Sequence, residues 1–150
     1  SVRPNRYSYD IIRETGEFVI NLTTKKLVKA TDYCGVRSGR DVDKFADCGL
    51  TAVPAQGMDC APAIAQCPLY LACKTQQVIE LGSHDLFIAR IAGMGVREEL
   101  LDEKGRIDLR RAGLTAYSHG VYYALGDAMA FFGYSVAAPE VRKRRMRELK

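Results

Sequence analysis

The 150-residue sequence lacks the features that define several common protein classes. It contains no run of about 18 apolar residues, which excludes a membrane-spanning helix. It opens with SVRP rather than with a basic stretch and an apolar core, so no signal peptide is predicted. It also contains no nucleophile elbow, HExxH, P-loop or GxGxxG motif, which argues against the commonest hydrolase, kinase and Rossmann enzymes. We therefore expect a soluble, cytoplasmic protein.

The cysteines are odd in number and form neither a CxxC pair nor a common zinc-ligand spacing. This pattern favours a reducing compartment in which the thiols act as small hydrophobic or surface groups, and it predicts no metal site. Cys60 and Cys67 flank a Pro-rich loop and remain candidates for reactive thiols. The five positions are Cys34, Cys48, Cys60, Cys67 and Cys73.

The positive charge is concentrated at one end of the sequence. The net charge is +4, but residues 141–150 (VRKRRMRELK) contain six basic residues and one acidic residue, so they carry +5 and leave the rest at −1. A short basic helix or a frayed tail explains this segment. The body of the chain lacks the interleaved aromatic and basic residues that nucleic-acid binding requires, so no nucleic-acid partner and no membrane partner is predicted.

The length and an apolar content of 47% fit one domain with one core, covering residues 1–150. Short helices are predicted at 9–15, 25–33 and 42–48, with Ser8, Thr24 and Asp41 as their respective N-caps. Apolar and alternating patterns predict strands at 17–22, 69–79 and 86–96, the last two as an antiparallel pair. Few strands joined by short helices, without βαβ alternation, indicate a mainly β barrel or an α+β domain.

The first nine residues (SVRPNRYSY) combine two guanidinium groups, hydroxyls and the N-terminus of a helix. A phosphate monoester binds well to such a set, because charged donors and free backbone N–H groups converge on it. The alternative is a capped helix with two solvated arginines. The candidate phosphate ligands are Arg3, Asn5, Arg6 and Ser8.

Five further residues are candidates, each with a simpler structural interpretation. Lys44 adds a positive charge or is a solvated helix lysine, and Asn21 offers an amide to a ring edge or ends a strand. His84, in a predicted turn, contacts a ligand or is merely exposed. Tyr117 and His119 lie in a Tyr-rich segment that forms either an aromatic wall for a planar ligand or ordinary packing.

Taken in order, these segments resemble the flavin reductase-like family, and in particular its flavoredoxin-type branch. The matching stretches are 1–8 (SVRPNRYS), 12–22 (IRETGEFVINL), 38–45 (SGRDVDKF), 49–51 (GLT), 82–88 (GSHDLFI) and 116–135 (AYSHGVYYALGDAMAFFGYS). The resemblance implies a Greek-key split barrel that forms a homodimer and binds FMN non-covalently near the subunit interface. It also implies that the first strands of the barrel lie upstream of residue 1.

The resemblance also assigns roles to residues. Arg3, Arg6, Ser8 and Lys44 would meet the FMN phosphate, whereas Asn21 and Leu22 would lie near the ring or the ribityl chain. His84 would lie where a nicotinamide approaches, and Tyr117 and His119 would lie around the flavin pocket. The nicotinamide-using members carry a Gly-Asp-His turn, and this sequence has Gly-Ser-His at 82–84.

Three functions follow from these observations. The first is an NAD(P)H-dependent flavin or ferric reductase. The second is a flavoredoxin-like electron carrier that keeps its FMN and passes electrons between proteins without a small substrate and without direct use of NAD(P)H. The redox partner is thus expected to be a small molecule or a protein, depending on which function holds. The third is a ligand-binding or interaction module on the same barrel without a flavin.

Overall fold

A computed structural model describes residues 1–149 of the protein as short helices around a small antiparallel sheet. The helices are α1 (Tyr7–Thr15), α2 (Val28–Val36), α3 (Lys44–Cys48) and α4 (Pro139–Glu148). The strands are β1 (Glu17–Leu22), β2 (Ala52–Val53), β3 (Ala63–Ile64), β4 (Leu69–Glu80), β5 (Asp85–Val96), β6 (Thr115–Ser118) and β7 (Val121–Ala124). Within this range no helix is long and apolar enough to cross a bilayer.

The main sheet has three antiparallel strands in the order β1-β4-β5. The β4–β5 ladder runs from Leu69 opposite Val96 to Glu80 opposite Asp85, with two register shifts between these ends. Strand β1 pairs along its whole length with the first half of β4. The predicted strands and their antiparallel pairing are confirmed, although β4 and β5 each extend one residue further towards the turn that joins them.

One cluster of the core consists of small side chains packed against the sheet. Ala55, Ala63 and Ala72 are almost fully buried and contact one another. Loop residues approach β5 so closely that a Cβ on Gly93 would stand 2.4 Å from the carbonyl oxygen of Gln56. Side chains of ordinary size would not fit between these segments, so the loop before β3 lies directly on the sheet.

The remaining strands form two separate hairpins, β2–β3 and β6–β7. Within residues 1–149 the strands therefore do not close into the Greek-key barrel expected from the resemblance. The fold is mainly β with short helices. Segment β6–β7 turns through His119, whose φ of 49° is left-handed, and Gly120.

Helix starts differ from the predicted ones. Ser8 is not an N-cap, because α1 begins at Tyr7 and Arg6 has the extended backbone of the capping position. Asp41 does not cap α3 either, since the side chain of Asp43 accepts from the first free N–H groups of that helix. The predicted helix at 25–33 begins as a 3-10 turn, Lys25–Leu27, and continues as α2 to Val36.

The basic C-terminal segment is helical over Pro139–Glu148, and residue 150 lies outside the described residues. Two of its arginines lie over aromatic rings of the preceding segment. The guanidinium carbon of Arg142 lies 5.3 Å from the Tyr134 ring centroid, and that of Arg145 lies 4.1 Å from Phe131. These cation–π contacts hold the helix against the segment before it.

Candidate functional site

The N-terminal segment is attached to the turn between β4 and β5. Val2 and Asp85 exchange two backbone hydrogen bonds of 2.9 Å. The buried Asp85 carboxylate also accepts from the Tyr9 hydroxyl at 2.5 Å, and Arg13 donates to the same hydroxyl at 2.9 Å. Hydrogen bonding to the Asp85 carboxylate raises the pKa of Tyr9, which favours its neutral, donating form. Helix α1 is thereby fixed to the start of β5.

This attachment brings Arg3 to His84. The Arg3 Nε donates to Nε2 of His84 at 3.1 Å, and the Ser83 hydroxyl lies 3.0 Å from Nδ1 of the same ring. Because a guanidinium has no acceptor, Nε2 must accept, so the proton of the neutral imidazole is on Nδ1 and is donated to Ser83. Arg3, a candidate phosphate ligand, is therefore hydrogen-bonded on an exposed surface to His84, the candidate nicotinamide contact.

Arg40 makes a second set of contacts at the start of α1. Arg40 Nη1 donates to the Asn5 carbonyl at 3.3 Å, and its guanidinium carbon lies 5.1 Å from the Tyr7 ring centroid. This arginine was not singled out from the sequence, although it lies in the SGRDVDKF stretch that carries the resemblance. An open groove of about 600 Å³ lies beside Arg40. The groove is lined by Tyr7 on α1 and by residues 39–45, which include Lys44.

Lys44 lines this groove, but its ammonium is directed to another element. Nζ donates to the carbonyl oxygen of Cys34 at 2.6 Å, at the C-terminal half of α2. A cation is favoured there by the negative end of the helix dipole. The ammonium keeps two further N–H donors, so this hydrogen bond does not by itself prevent contact with a phosphate in the groove, which Arg40 also lines.

Asn21 lies at a different place, beside a small apolar cavity between β1 and α2. The cavity has a volume of about 250 Å³ and is lined by Asn21, Cys34 and mainly apolar neighbours. The Asn21 Oδ1 accepts from the Ile64 N–H at 2.9 Å, so this amide ties β1 to β3. Leu22 is the last residue of β1 and pairs with Leu69.

The hairpin β6–β7 lies near the same end of the sheet. The Thr115 N–H donates at 3.2 Å to the carbonyl of Thr23, the residue directly after β1. The Tyr122 hydroxyl donates at 3.3 Å to the Asp32 carboxylate on α2. Tyr117 is 64% exposed, and its ring centroid lies 4.9 Å from that of Tyr122. His119 is exposed at the hairpin tip. The two aromatic rings form an uncovered surface.

The candidate residues thus fall at two ends of one sheet. Asn21 is opposite Tyr70 on β4, whereas His84 follows the last residue of that strand, Glu80. Ten residues of extended chain separate Tyr70 from Glu80, which corresponds to roughly 30 Å. Accordingly, the cavity beside Asn21 is not lined by His84.

A buried carboxylate between the two ends was missed by the sequence predictions. Glu17 is 5% exposed, and its oxygens accept from the backbone N–H groups of Asp59, Cys60 and Ala61 at 3.0–3.3 Å. Lys74 Nζ lies 3.2 Å from the same carboxylate. The Cys60 N–H and then the other donors lower the pKa of Glu17 to about 2, against the opposing effect of burial. Glu17 anchors a loop, and no group of three metal-ligating side chains occurs within residues 1–149.

A model of the flavin reductase-like domain family matches residues 1–126. The chain belongs to this family. It is similar in structure to the flavoredoxin of Desulfovibrio vulgaris (TM-score 0.81, 33% identity, covering 87% of this chain and 70% of that one). It is also similar to a Shewanella frigidimarina protein solved with a split-barrel domain (TM-score 0.75, 25% identity, 87% and 66%). An FMN-binding protein of Thermus thermophilus is a further structural relative (TM-score 0.68, 25% identity, 83% and 66%).

The sequence relatives are longer than this chain. An uncharacterised protein of Archaeoglobus fulgidus is 30% identical over 106 residues, which are 71% of this chain and 59% of that protein. The chain thus spans less than two thirds of the length of such curated relatives. The family match and these structures support a fold of the flavin reductase-like, split-barrel type.

Proposed function

We propose that this protein binds FMN non-covalently and acts as an NAD(P)H-dependent flavin or ferric reductase. The observation that carries the proposal is the Arg3–His84 hydrogen bond, which places a phosphate-binding type of residue beside a residue suited to contact a nicotinamide. The similarity to flavoredoxin and to an FMN-binding protein supports the choice of cofactor.

The start of α1 offers a set of donors that fits one terminal phosphate. Arg6, at the N-cap, and the exposed Ser8 in the first turn lie at the positive end of a nine-residue helix, and no side chain caps its N-terminus. The Arg40 guanidinium is held nearby by the Asn5 carbonyl. Charged donors together with helix N–H groups stabilise a phosphate dianion, and no glycine motif for a dinucleotide is present in the sequence.

The residues assigned to the flavin ring lie at the other end of the sheet. The apolar cavity beside Asn21 and the exposed Tyr117–Tyr122 pair offer surfaces suited to a planar ring. When bound, FMN supplies hydride and one-electron transfer. The chain itself binds, orients and shields the cofactor. Because roughly 30 Å separates the two ends of β4, we propose that a second copy of the chain brings the two sets of residues together in a homodimer.

An electron carrier is the second candidate function. The similarity to two flavoredoxins favours it, as does Ser83 in the turn where nicotinamide-using members carry aspartate. In the carrier, His84 shapes the turn through Arg3 and Ser83, and electrons pass between the flavin and another protein. The carrier keeps the same FMN site and differs in its donor.

The two functions are separated by a spectroscopic experiment on the purified protein. Flavin is released by heat and chromatographed, and the holoprotein is then mixed anaerobically with NADH or NADPH in a stopped-flow instrument. Release of FMN and rapid bleaching would support the reductase, whereas FMN with slow bleaching would support the carrier. Release of FAD, or failure to bind added FMN, would overturn the proposal.

A further inference from the structure

A second cavity, with a volume of about 500 Å³, lies next to the apolar cavity beside Asn21. Leu27 lines both cavities, and Cys67 in the wall of the apolar one lies between Gln66 and Pro68 in the wall of the larger one. Within residues 1–149, none of the residues assigned to the FMN phosphate lines the larger cavity. It is therefore a separate space that adjoins the surface assigned to the flavin ring.

The wall of this larger cavity is strongly basic, and we call it the basic cavity. Its charged side chains come from three places in the fold, namely the 3-10 turn after β1, the segment after β5 and a 3-10 turn, Leu109–Ala112, before β6. The cavity is lined by one carboxylate, Glu99, and by five cations, Lys25, Lys26, Arg97, Arg110 and Arg111.

Two of the five cations are paired with carboxylates. Arg97 Nη1 lies 3.6 Å from Glu99, and Arg110 Nη2 lies 2.7 Å from Asp108. The same two guanidiniums donate to backbone carbonyls, at 2.9 Å from Arg97 and 2.8 Å from Arg110. The hydrogen bond from Arg110 lowers the pKa of Asp108 to about 2, so this carboxylate stays ionised at neutral pH. These two arginines are therefore structural parts of the wall.

The other three cations lack such a partner. Within residues 1–149, Lys25, Lys26 and Arg111 take part in no ion pair. The two turns that carry them are in contact, because the Lys25 N–H donates to the Gly113 carbonyl at 3.0 Å. The Lys25 side chain also passes over this glycine, since its Cε lies 3.9 Å from the position of a Cβ on Gly113. Like charges around one cavity repel one another, and a bound anion relieves this repulsion.

We propose that the basic cavity binds the diphosphate group of a nucleotide, with Lys25, Lys26 and Arg111 as its charged contacts. A diphosphate carries two adjacent anionic groups, which matches cations that converge from two turns. The volume lies in the range of small-molecule sites, roughly 300–1,000 Å³. Apolar lining residues offer contact area for the base and the sugar, and they include Leu27, Pro68 and Ala112.

The position of the basic cavity links it to the proposed function. Because it adjoins the surface assigned to the flavin ring, we assign the bound nucleotide to the non-reacting part of NAD(P)H. This assignment rests on the proposed function, whereas binding of the diphosphate requires no electron transfer. In the homodimer proposed above, the second copy brings its own His84 to this end of the sheet, where it contacts the nicotinamide.

Isothermal titration calorimetry tests the site on the purified protein in the presence of excess FMN. The probes are ADP, pyrophosphate, adenosine and citrate, each at low and at high NaCl concentration. We expect ADP to bind at one site per chain, more tightly than pyrophosphate because of the apolar contacts, and adenosine not to bind measurably. High salt should weaken ADP binding, since it screens the charges. Citrate that binds as tightly as ADP would reveal a general anion site and would overturn the proposal.

Charge-removing variants locate the site. Lys25→Gln with Lys26→Gln, and separately Arg111→Gln, should each weaken ADP binding by roughly tenfold or more. Lys29→Gln, at an exposed position on α2 outside the cavity, is the matched control and should bind ADP as the wild type does. FMN affinity should stay unchanged in all three variants, because the residues assigned to its phosphate lie elsewhere.

Several results would overturn the proposal. These are absence of ADP binding in the wild type, full ADP affinity in both cavity variants, and competition between ADP and FMN, which would assign the basic cavity to the FMN phosphate. Failure of the proposed function looks different. ADP binding that is lost in the cavity variants, in a protein that NAD(P)H does not reduce, would confirm the nucleotide site and refute only the reductase.

Discussion

Arg3 donates from Nε to Nε2 of His84 across 3.1 Å, although the two residues lie 81 positions apart in the sequence. The hydrogen bond joins the segment before α1 to the turn after β4. It also fixes the tautomer of the imidazole, since the guanidinium can only donate. Substitution of either residue therefore affects the other.

Replacement of His84 with alanine should slow reduction by NAD(P)H. If the imidazole holds the dinucleotide over the flavin, His84→Ala lowers the rate or raises KM by roughly tenfold, equivalent to about 1.4 kcal/mol. FMN affinity should change little, because Arg3 keeps its guanidinium when its hydrogen bond to His84 is lost. Anaerobic stopped-flow reduction and an FMN titration measure the two effects. Arg144→Ala, at an exposed position on α4, is the control, and equally rapid reduction of the wild type and His84→Ala would refute this role.

Removal of both N-terminal guanidiniums should weaken FMN binding. Arg3→Ala with Arg6→Ala removes two charged donors, each worth about 1.5–3 kcal/mol when bonded to a phosphate. The dissociation constant from fluorescence titration should thus rise by at least two orders of magnitude. Arg144→Ala, on the exposed face of α4, serves as control. An unchanged affinity in the double variant would identify both arginines as solvated side chains.

Glu17 should contribute to stability in a pH-dependent way. Its pKa is about 2 in the folded protein and near its ordinary 4.5 when unfolded, so the folded state binds fewer protons and stability is lost as the pH falls from 4.5 towards 2. Glu17→Gln removes this dependence. At pH 7 it should lower the free energy of unfolding by about 3 kcal/mol, because buried N–H donors and Lys74 lose their charged partner.

Urea unfolding between pH 3 and 7 measures the Glu17 contribution. Glu14→Gln, an exposed carboxylate on α1, is the control and should behave as the wild type. Equal stability of wild type and Glu17→Gln at pH 7 would show that the loop is held by its other contacts.

The protein should be a homodimer at micromolar concentration. Phe132 is fully exposed and Met129 nearly so, close to the exposed Tyr117 and Tyr123 in sequence, and apolar surfaces of this kind mark interfaces. Light scattering should give twice the chain mass. Phe132→Asp should shift the mass towards the monomer, whereas Val36→Asp, at an exposed apolar position on α2, should not. A monomeric wild type would contradict the prediction.

The sequence predicted the elements whose signals are local. Gly16 ends α1 in the left-handed conformation, with its N–H on the Ile12 carbonyl, as a terminal glycine usually does. The alternating pattern of β4 and β5 likewise identified the central pair. Ser8 was wrong as a cap because Arg6 N–H bonds to the Arg3 carbonyl, and this turn starts the helix two residues earlier.

The features that were missed depend on contacts between distant segments. Strands β2 and β3 have two residues each, too few to show periodicity, and they pair because the loop between them folds back. The Glu17 carboxylate is buried because it accepts hydrogen bonds from the N–H groups of residues 59–61, which lie more than 40 positions further along the sequence. No local sequence pattern could therefore indicate its burial. The contacts of Arg40 with Asn5 and Tyr7 were likewise visible only after the helices were placed.

The Tyr9–Asp85 hydrogen bond also has a consequence for folding during synthesis. The two residues are 76 positions apart, so at about 5–20 residues per second the ribosome adds the second roughly 4–15 s after the first. Helix α1 has nine residues, too few to be stable in water alone. Its formation therefore waits for β5, and the N-terminal segment remains accessible to proteases and chaperones during this interval.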